Sequence, residues 1–161
     1  WYSHNRRGEL INPTNRLPEH DFINSFKTNV GVYLINGTIS LNSCCFANFT
    51  PYVGGGIGAA RVSFRKAKSI QISPAEPGIN HYNSGRNDAT WTFAAQFKAG
   101  LRYNFCERFH VFAEYRLVYL DSTRYLFGST NYPNHVPTST WDVDASSITY
   151  NAWTLGLQYD L

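Results

Sequence analysis

One stretch of the chain gathers a nucleophile, a base and an acid: Asn134-His-Val-Pro-Thr-Ser-Thr-Trp-Asp142, where His135, Ser139 and Asp142 lie close enough in sequence to meet. A serine activated by an imidazole that a carboxylate orients would be a hydrolytic or acyl-transfer centre. The same residue types make up any solvated loop, and that plainer reading is preferred here. Gly54-Gly-Gly-Ile-Gly58 has the glycine density of a phosphate cradle, but no helix pattern follows it and no acidic residue stands at the required spacing. His4, His20, His81, His110 and His135 are scattered, with no His-Glu-x-x-His pair, and Cys44, Cys45 and Cys106 lack zinc or redox spacing. No metal site, no cofactor and no enzyme activity are expected. Four charged residues remain, Lys98, Arg102, Glu114 and Arg116, and their meaning depends on the elements that carry them.

Those elements are strands. From about Asn29 to Leu41, Tyr33, Ile35, Ile39 and Leu41 fall on one side and Asn36, Thr38 and Ser40 on the other. A second strand is expected over about Pro51 to Phe64. A third runs from Trp91 to Phe105, whose odd positions read Trp, Phe, Ala, Phe, Ala, Leu, Tyr, Phe against Thr, Ala, Gln, Lys, Gly, Arg, Asn between them. Soluble strands average about five or six residues, whereas a tilted membrane-crossing strand needs about nine to eleven, so this one is long enough to span. After a short turn at Cys106 to Arg108, a fourth strand from about Phe109 to Leu120 puts Val111, Ala113, Tyr115, Leu117 and Tyr119 on one face and Glu114 and Arg116 on the other. The last strand places Trp153, Leu155, Leu157, Tyr159 and Leu161 on one face without a slip. Polar segments rich in Asn, Ser, Pro and Gly, about 3–26, 66–89 and 121–147, are expected to be long surface loops, and no amphipathic helix is legible.

Bulk properties agree with strands. The chain has 161 residues, enough for one domain, and its 43% hydrophobic content with mean hydropathy −0.34 excludes a helical membrane protein and a disordered chain alike. Aromatic residues equal charged ones at 16% each, a high ratio for a soluble surface. A net charge of +3 with no basic run longer than Arg6-Arg7 gives no reason to expect nucleic acid as a partner. Arg61, Arg65, Lys66 and Lys68 read instead as a rim near lipid phosphates. The absence of methionine suggests a processed chain or a fragment.

Alternation does not say which face meets water, because a lipocalin-like barrel reverses the faces of a membrane barrel. The polar face decides it. Gly54, Gly56, Gly58, Gly100 and Gly156 stand there beside Gln96, Lys98, Arg102, Glu114, Arg116 and Gln158, so that small residues make room for long charged ones, as a narrow interior requires. Enclosed together, Lys98, Arg102, Glu114 and Arg116 can satisfy one another as an interior polar network. The expected class is therefore all-β, an antiparallel up-and-down transmembrane β-barrel, with a Tyr-rich soluble barrel or sandwich as the competing reading.

The stretch Thr50-Pro-Tyr-Val-Gly-Gly-Gly-Ile-Gly-Ala-Ala-Arg-Val62 resembles the Pro-Tyr-Val-Gly-x-Gly-x-Gly strand of opacity-type and outer-membrane-protein-A-type surface barrels. Phe93 to Tyr103 resembles the next strand of that family, Val111-Phe-Ala-Glu-Tyr-Arg-Leu-Val-Tyr119 its Glu-Tyr-Arg strand, and Trp153 to Leu161 its closing strand, so the likeness covers most of residues 29–161. The resemblance implies a bacterial outer-membrane location and an eight-stranded barrel, of which about five strands are visible here, with N-terminal strands missing from a single domain over 1–161. It implies that outer-membrane lipid surrounds the barrel and that the insertion machinery reads Trp153, Leu155, Leu157, Tyr159 and Leu161 as a C-terminal signal. On that topology a disulfide from Cys45 or Cys44 to Cys106 is feasible in the periplasm. The implied role is display of extracellular loops for adhesion, envelope structure or assembly, with a protein partner reached through the loops or through laterally packed copies. A small porin is the alternative, and an outer-membrane hydrolase or acyltransferase centred on His135, Ser139 and Asp142 a more distant one. Loop aromatics Tyr2, Tyr82, Tyr125, Tyr132 and Trp141 are expected to be exposed and available as partner anchors or as rim residues.

Overall fold

The computed structural model describes residues 2–10, 21–41, 48–106 and 108–160. They form eight strands: β1 Tyr2–Leu10, β2 Asp21–Ser40, β3 Phe49–Ser73, β4 Asp88–Cys106, β5 Phe109–Leu120, β6 Thr123–Phe127, β7 Trp141–Ala145 and β8 Ile148–Tyr159; no helix occurs among the described residues. The fold is all-β and antiparallel. One sheet has the order β1-β2-β3-β4-β5-β8, and no closure of it into a barrel occurs among the described residues; β6 and β7 pair separately. Registers run without interruption from Tyr2 opposite Val30 to Leu10 opposite Phe22, and from Phe109 opposite Tyr159 to Leu120 opposite Ile148. All five strands expected from alternation are present as β2, β3, β4, β5 and β8.

The chain divides into two compact units: Trp1–Gly31 with Arg61–Trp91 and Ser122–Ser146, and Val32–Ala60 with Thr92–Asp121 and Ser147–Leu161. Strands β2, β3 and β4 run through both. The first unit has a polar coat and an apolar core. Phe22, Val30, Val62, Phe64, Tyr82, Tyr125 and Phe127 are buried in it, while Arg61, Arg65 and Lys68 are exposed. Phe64 packs on Tyr125 with ring centroids 4.1 Å apart, and Tyr82 stacks on Phe127 at 5.0 Å. Burial pushes the Tyr82 phenol above the ordinary tyrosine range.

The polar-coated unit is where the sequence expectation needs correction. Of the supposed loops, 3–26 contains β1 and the start of β2, 66–89 contains the end of β3, and 121–147 contains β6 and β7. Tyr82 and Tyr125 are core residues, and Trp141 is half-buried. The reason is physical: β6 and β7 are five residues each, with Thr123, Tyr125 and Phe127 in and Arg124 and Leu126 out, too short for alternation to stand out in a polar segment. Arg124 bridges outward to Asp142 at 3.3 Å and Asp144 at 3.6 Å across that pair.

One backbone feature re-aims β3. Its buried apolar positions are even at Ala60, Val62 and Phe64, with Ser63 buried between them, but the buried positions are odd at Ala67, Ser69 and Gln71. The change of phase falls at Lys66, whose φ of 55° lies in the left-handed region that a bulge exploits. Its amide donates to Asn87 Oδ1 at 3.0 Å, which ties down the irregularity.

An apolar coat around an enclosed ionic cluster

The second unit, built from β5, β8 and the adjoining stretches of β2, β3 and β4, has the opposite arrangement. Its outward rows are large and apolar: Ile35 is 86% exposed, Trp153 79% and Leu155 81%, with Tyr33, Ile39, Ile57, Phe93, Phe97, Leu101, Val111 and Leu157 also exposed. Outward residues of β8 are Trp153, Leu155, Leu157 and Tyr159, four of the five assigned to the C-terminal signal; Leu161 lies outside the described residues. Aromatics gather at the end where β4 meets β5, with Phe49 on Tyr103 at 4.8 Å and Phe109 beside Tyr159 at 6.2 Å. Water penalises such a coat, since a typical soluble monomer keeps its largest apolar patch to about 300–600 Å².

Inside, the residues are charged. Register sets Lys98 opposite Arg116 and Gly100 opposite Glu114. Glu114 is 3% exposed and serves both cations: Lys98 Nζ stands 3.7 Å from its Oε2, and Arg116 Nε donates to its Oε1. Two like charges placed opposite each other would be destabilising; the carboxylate between them turns the site into a triad. Arg102 lines the same cavity of about 260 Å³, but its Nε has no hydrogen-bond partner among the described residues. Lys98, Glu114 and Arg116 are thus joined, and Arg102 lines the cavity beside them.

Glycine makes the room. A Cβ at Gly100 would fall into the Tyr52 ring, which lines the cavity next to Glu114, and one at Gly54 would lie 2.8 Å from Lys98 Cε. Both positions take no side chain because a neighbour needs the volume. At the end of β8, Asp160 accepts from Gln158 Nε2 at 2.8 Å and pairs with His110 Nε2 at 3.1 Å, and these contacts hold its carboxyl below the usual carboxylate range.

The suggested nucleophile, base and acid do not assemble. Asp142 is engaged by Arg124, and the two ring nitrogens of His135 face Val136 O at 2.7 Å and Glu76 Oε2 at 3.2 Å. His81, from another segment, meets the same carboxylate oxygen at 3.3 Å. This Glu76, His81 and His135 cluster, capable of holding a metal ion, was not found in the sequence; the three residues come from positions up to 59 apart and share no motif spacing. Cys106 is exposed at the end of β4, and its expected pairing partner Cys45 lies outside the described residues.

No known protein-family model, curated protein or solved structure matches this chain.

Proposed function

We propose that the chain is the larger part of a bacterial outer-membrane β-barrel that crosses the lipid with the apolar-coated unit and presents the polar-coated unit as a surface module for adhesion, envelope structure or assembly with partners. One observation carries this reading. Within a single unit the outward rows are apolar and the buried charges face inward, which is the order that hydrocarbon outside a narrow polar interior demands. The ten residue steps from Phe109 to Tyr119, at about 3.3 Å each and a tilt of about 40°, would cover the roughly 25 Å apolar band of such a barrel.

Strand β3 adds support within its own length. On the stretch that holds one pleat phase, outward Val53 and Ile57 give way to outward Arg61 and Arg65, while inward Gly54, Gly56 and Gly58 give way to buried Ala60, Val62 and Phe64. Both faces change character over the same few residues, as expected of a strand passing from lipid into water.

This reading requires that the outer edges of β2 over residues 32–40 and of β8 be paired, because each unpaired backbone group in hydrocarbon costs several kcal/mol. Strands beyond those described, three for an eight-stranded barrel, or a second chain would supply the pairing. The test is electrophoresis of the full-length protein extracted from isolated outer membranes, with and without boiling in SDS. A closed membrane barrel runs faster unboiled. Recovery in the soluble fraction with no heat-dependent shift would instead make the unit a soluble sheet.

A further inference from the structure

We propose that Glu76, His81 and His135 form a binding site for a first-row transition-metal dication, with Zn2+ the best fit. The inference rests on the polar-coated unit alone and does not depend on the membrane reading.

Both imidazoles are oriented by backbone carbonyls through Nδ1. His81 Nδ1 lies 3.3 Å from Ser69 O, and His135 Nδ1 lies 2.7 Å from Val136 O. A carbonyl only accepts, so each Nδ1 carries the proton and each Nε2 of a neutral ring presents a lone pair. Those two lone pairs face one atom, Glu76 Oε2, at 3.3 Å and 3.2 Å. Three acceptors converging in this way repel one another unless positive charge stands among them. His81, at 4% side-chain exposure, is packed edge-on against Phe22 at 5.0 Å, which fixes where its ring points. A single dication satisfies all three acceptors together.

The geometry suits that ion. Ligand atoms about 2.0–2.1 Å from a tetrahedral zinc stand about 3.3 Å from one another, close to both nitrogen–oxygen separations seen here. Imidazole donors favour zinc, copper, iron and nickel over calcium and magnesium, and Nδ1–H donated to a carbonyl is the usual outer support of a metal-bound histidine. Three protein ligands, with Glu76 and His135 partly open to solvent, leave a position for water.

The ligands are held before any metal arrives. They come from two segments already joined by hydrogen bonds: Gly128 N to Gly85 O at 2.8 Å, Asn131 N to Asn83 Oδ1 at 2.7 Å and Asn80 N to the Tyr132 hydroxyl at 3.1 Å. At the crossing, a Cβ on Gly128 would run into the backbone of Gly85, so the two segments approach as closely as main chains can. The phase change at Lys66 turns Ser69 inward, and its carbonyl accepts both the His81 amide at 2.9 Å and the His81 ring. Metal would lock the 76–81 segment to the 135 segment on a surface the molecule presents to water.

The test is titration of the full chain, folded in detergent micelles and stripped with chelator, with Zn2+ by calorimetry and with Co2+ by visible absorption. The expected result is one ion per chain, a d–d spectrum of tetrahedral type, and no heat with Ca2+. His135→Ala and Glu76→Gln, chosen because both side chains reach solvent, are expected to weaken Zn2+ binding by at least about 100-fold while near-UV circular dichroism stays unchanged. Absence of stoichiometric Zn2+ and Co2+ binding by the folded wild-type chain would overturn the proposal, as would binding that neither substitution alters or that Ca2+ matches.

Discussion

Glu114 is the residue on which the interior of the apolar-coated unit depends. It is almost fully enclosed and is the carboxylate that Lys98 and Arg116 share. A buried ion pair adds little net stability over apolar packing, because desolvation cancels much of the attraction, but removing one partner leaves charge stranded. Glu114→Ala is therefore expected to cost about 3 kcal/mol, measured as a lowered urea midpoint. Pairing it with Lys98→Met should recover part of that loss, so the double variant would be more stable than the sum of the singles. An unchanged midpoint in the single variant would mean that the cluster is solvated and the interior open. Histidine illustrates the same point from the other unit: His135 draws attention in the sequence as the base of a Ser-His-Asp set, but its ring nitrogens answer to Val136 and Glu76.

At the scale of elements, one solvent-facing row predicts more than composition does. Leu155 on β8 and Leu126 on β6 are both exposed leucines on outward faces, at 81% and 54%. If lipid covers β8 and water covers β6, Leu155→Arg should cost about 2–4 kcal/mol in lipid vesicles, while Leu126→Arg should stay within about 0.5 kcal/mol. Equal and small effects in a urea titration would place both strands in water. The same contrast explains what could be read from sequence. Strands β2, β3, β4, β5 and β8 were legible because their apolar rows alternate with polar residues or glycine over nine or more residues. Strand β1, Tyr-Ser-His-Asn-Arg-Arg-Gly-Glu-Leu, has no such row; its pairing with β2 makes it a strand. The inward set of Lys98, Glu114 and Arg116 was legible because strand parity alone puts them on one face, and register then brings them together. The Glu76, His81 and His135 cluster was hidden, since it depends on the change of phase at Lys66 and on how two irregular segments cross.

For the whole molecule, the proposed function reads the two surface chemistries as two solvents, water and lipid. The polar-coated unit has the interior of a water-soluble protein, with stacked aromatics inside and Arg124 with Asp142 and Asp144 outside. The apolar-coated unit would be an aggregation hazard in water, and on the proposed reading its outward rows face the acyl chains of a bilayer. Trp153 distinguishes the cases directly, because it stands in the outward row of β8 at 79% exposure. The decisive measurement is its fluorescence in a variant with Trp1, Trp91 and Trp141 replaced by Phe, reconstituted in phospholipid vesicles with brominated acyl chains. The account predicts strong quenching of Trp153 by the brominated chains and protection from aqueous iodide. Full quenching by iodide with no response to the brominated lipid would contradict it and put that face in water.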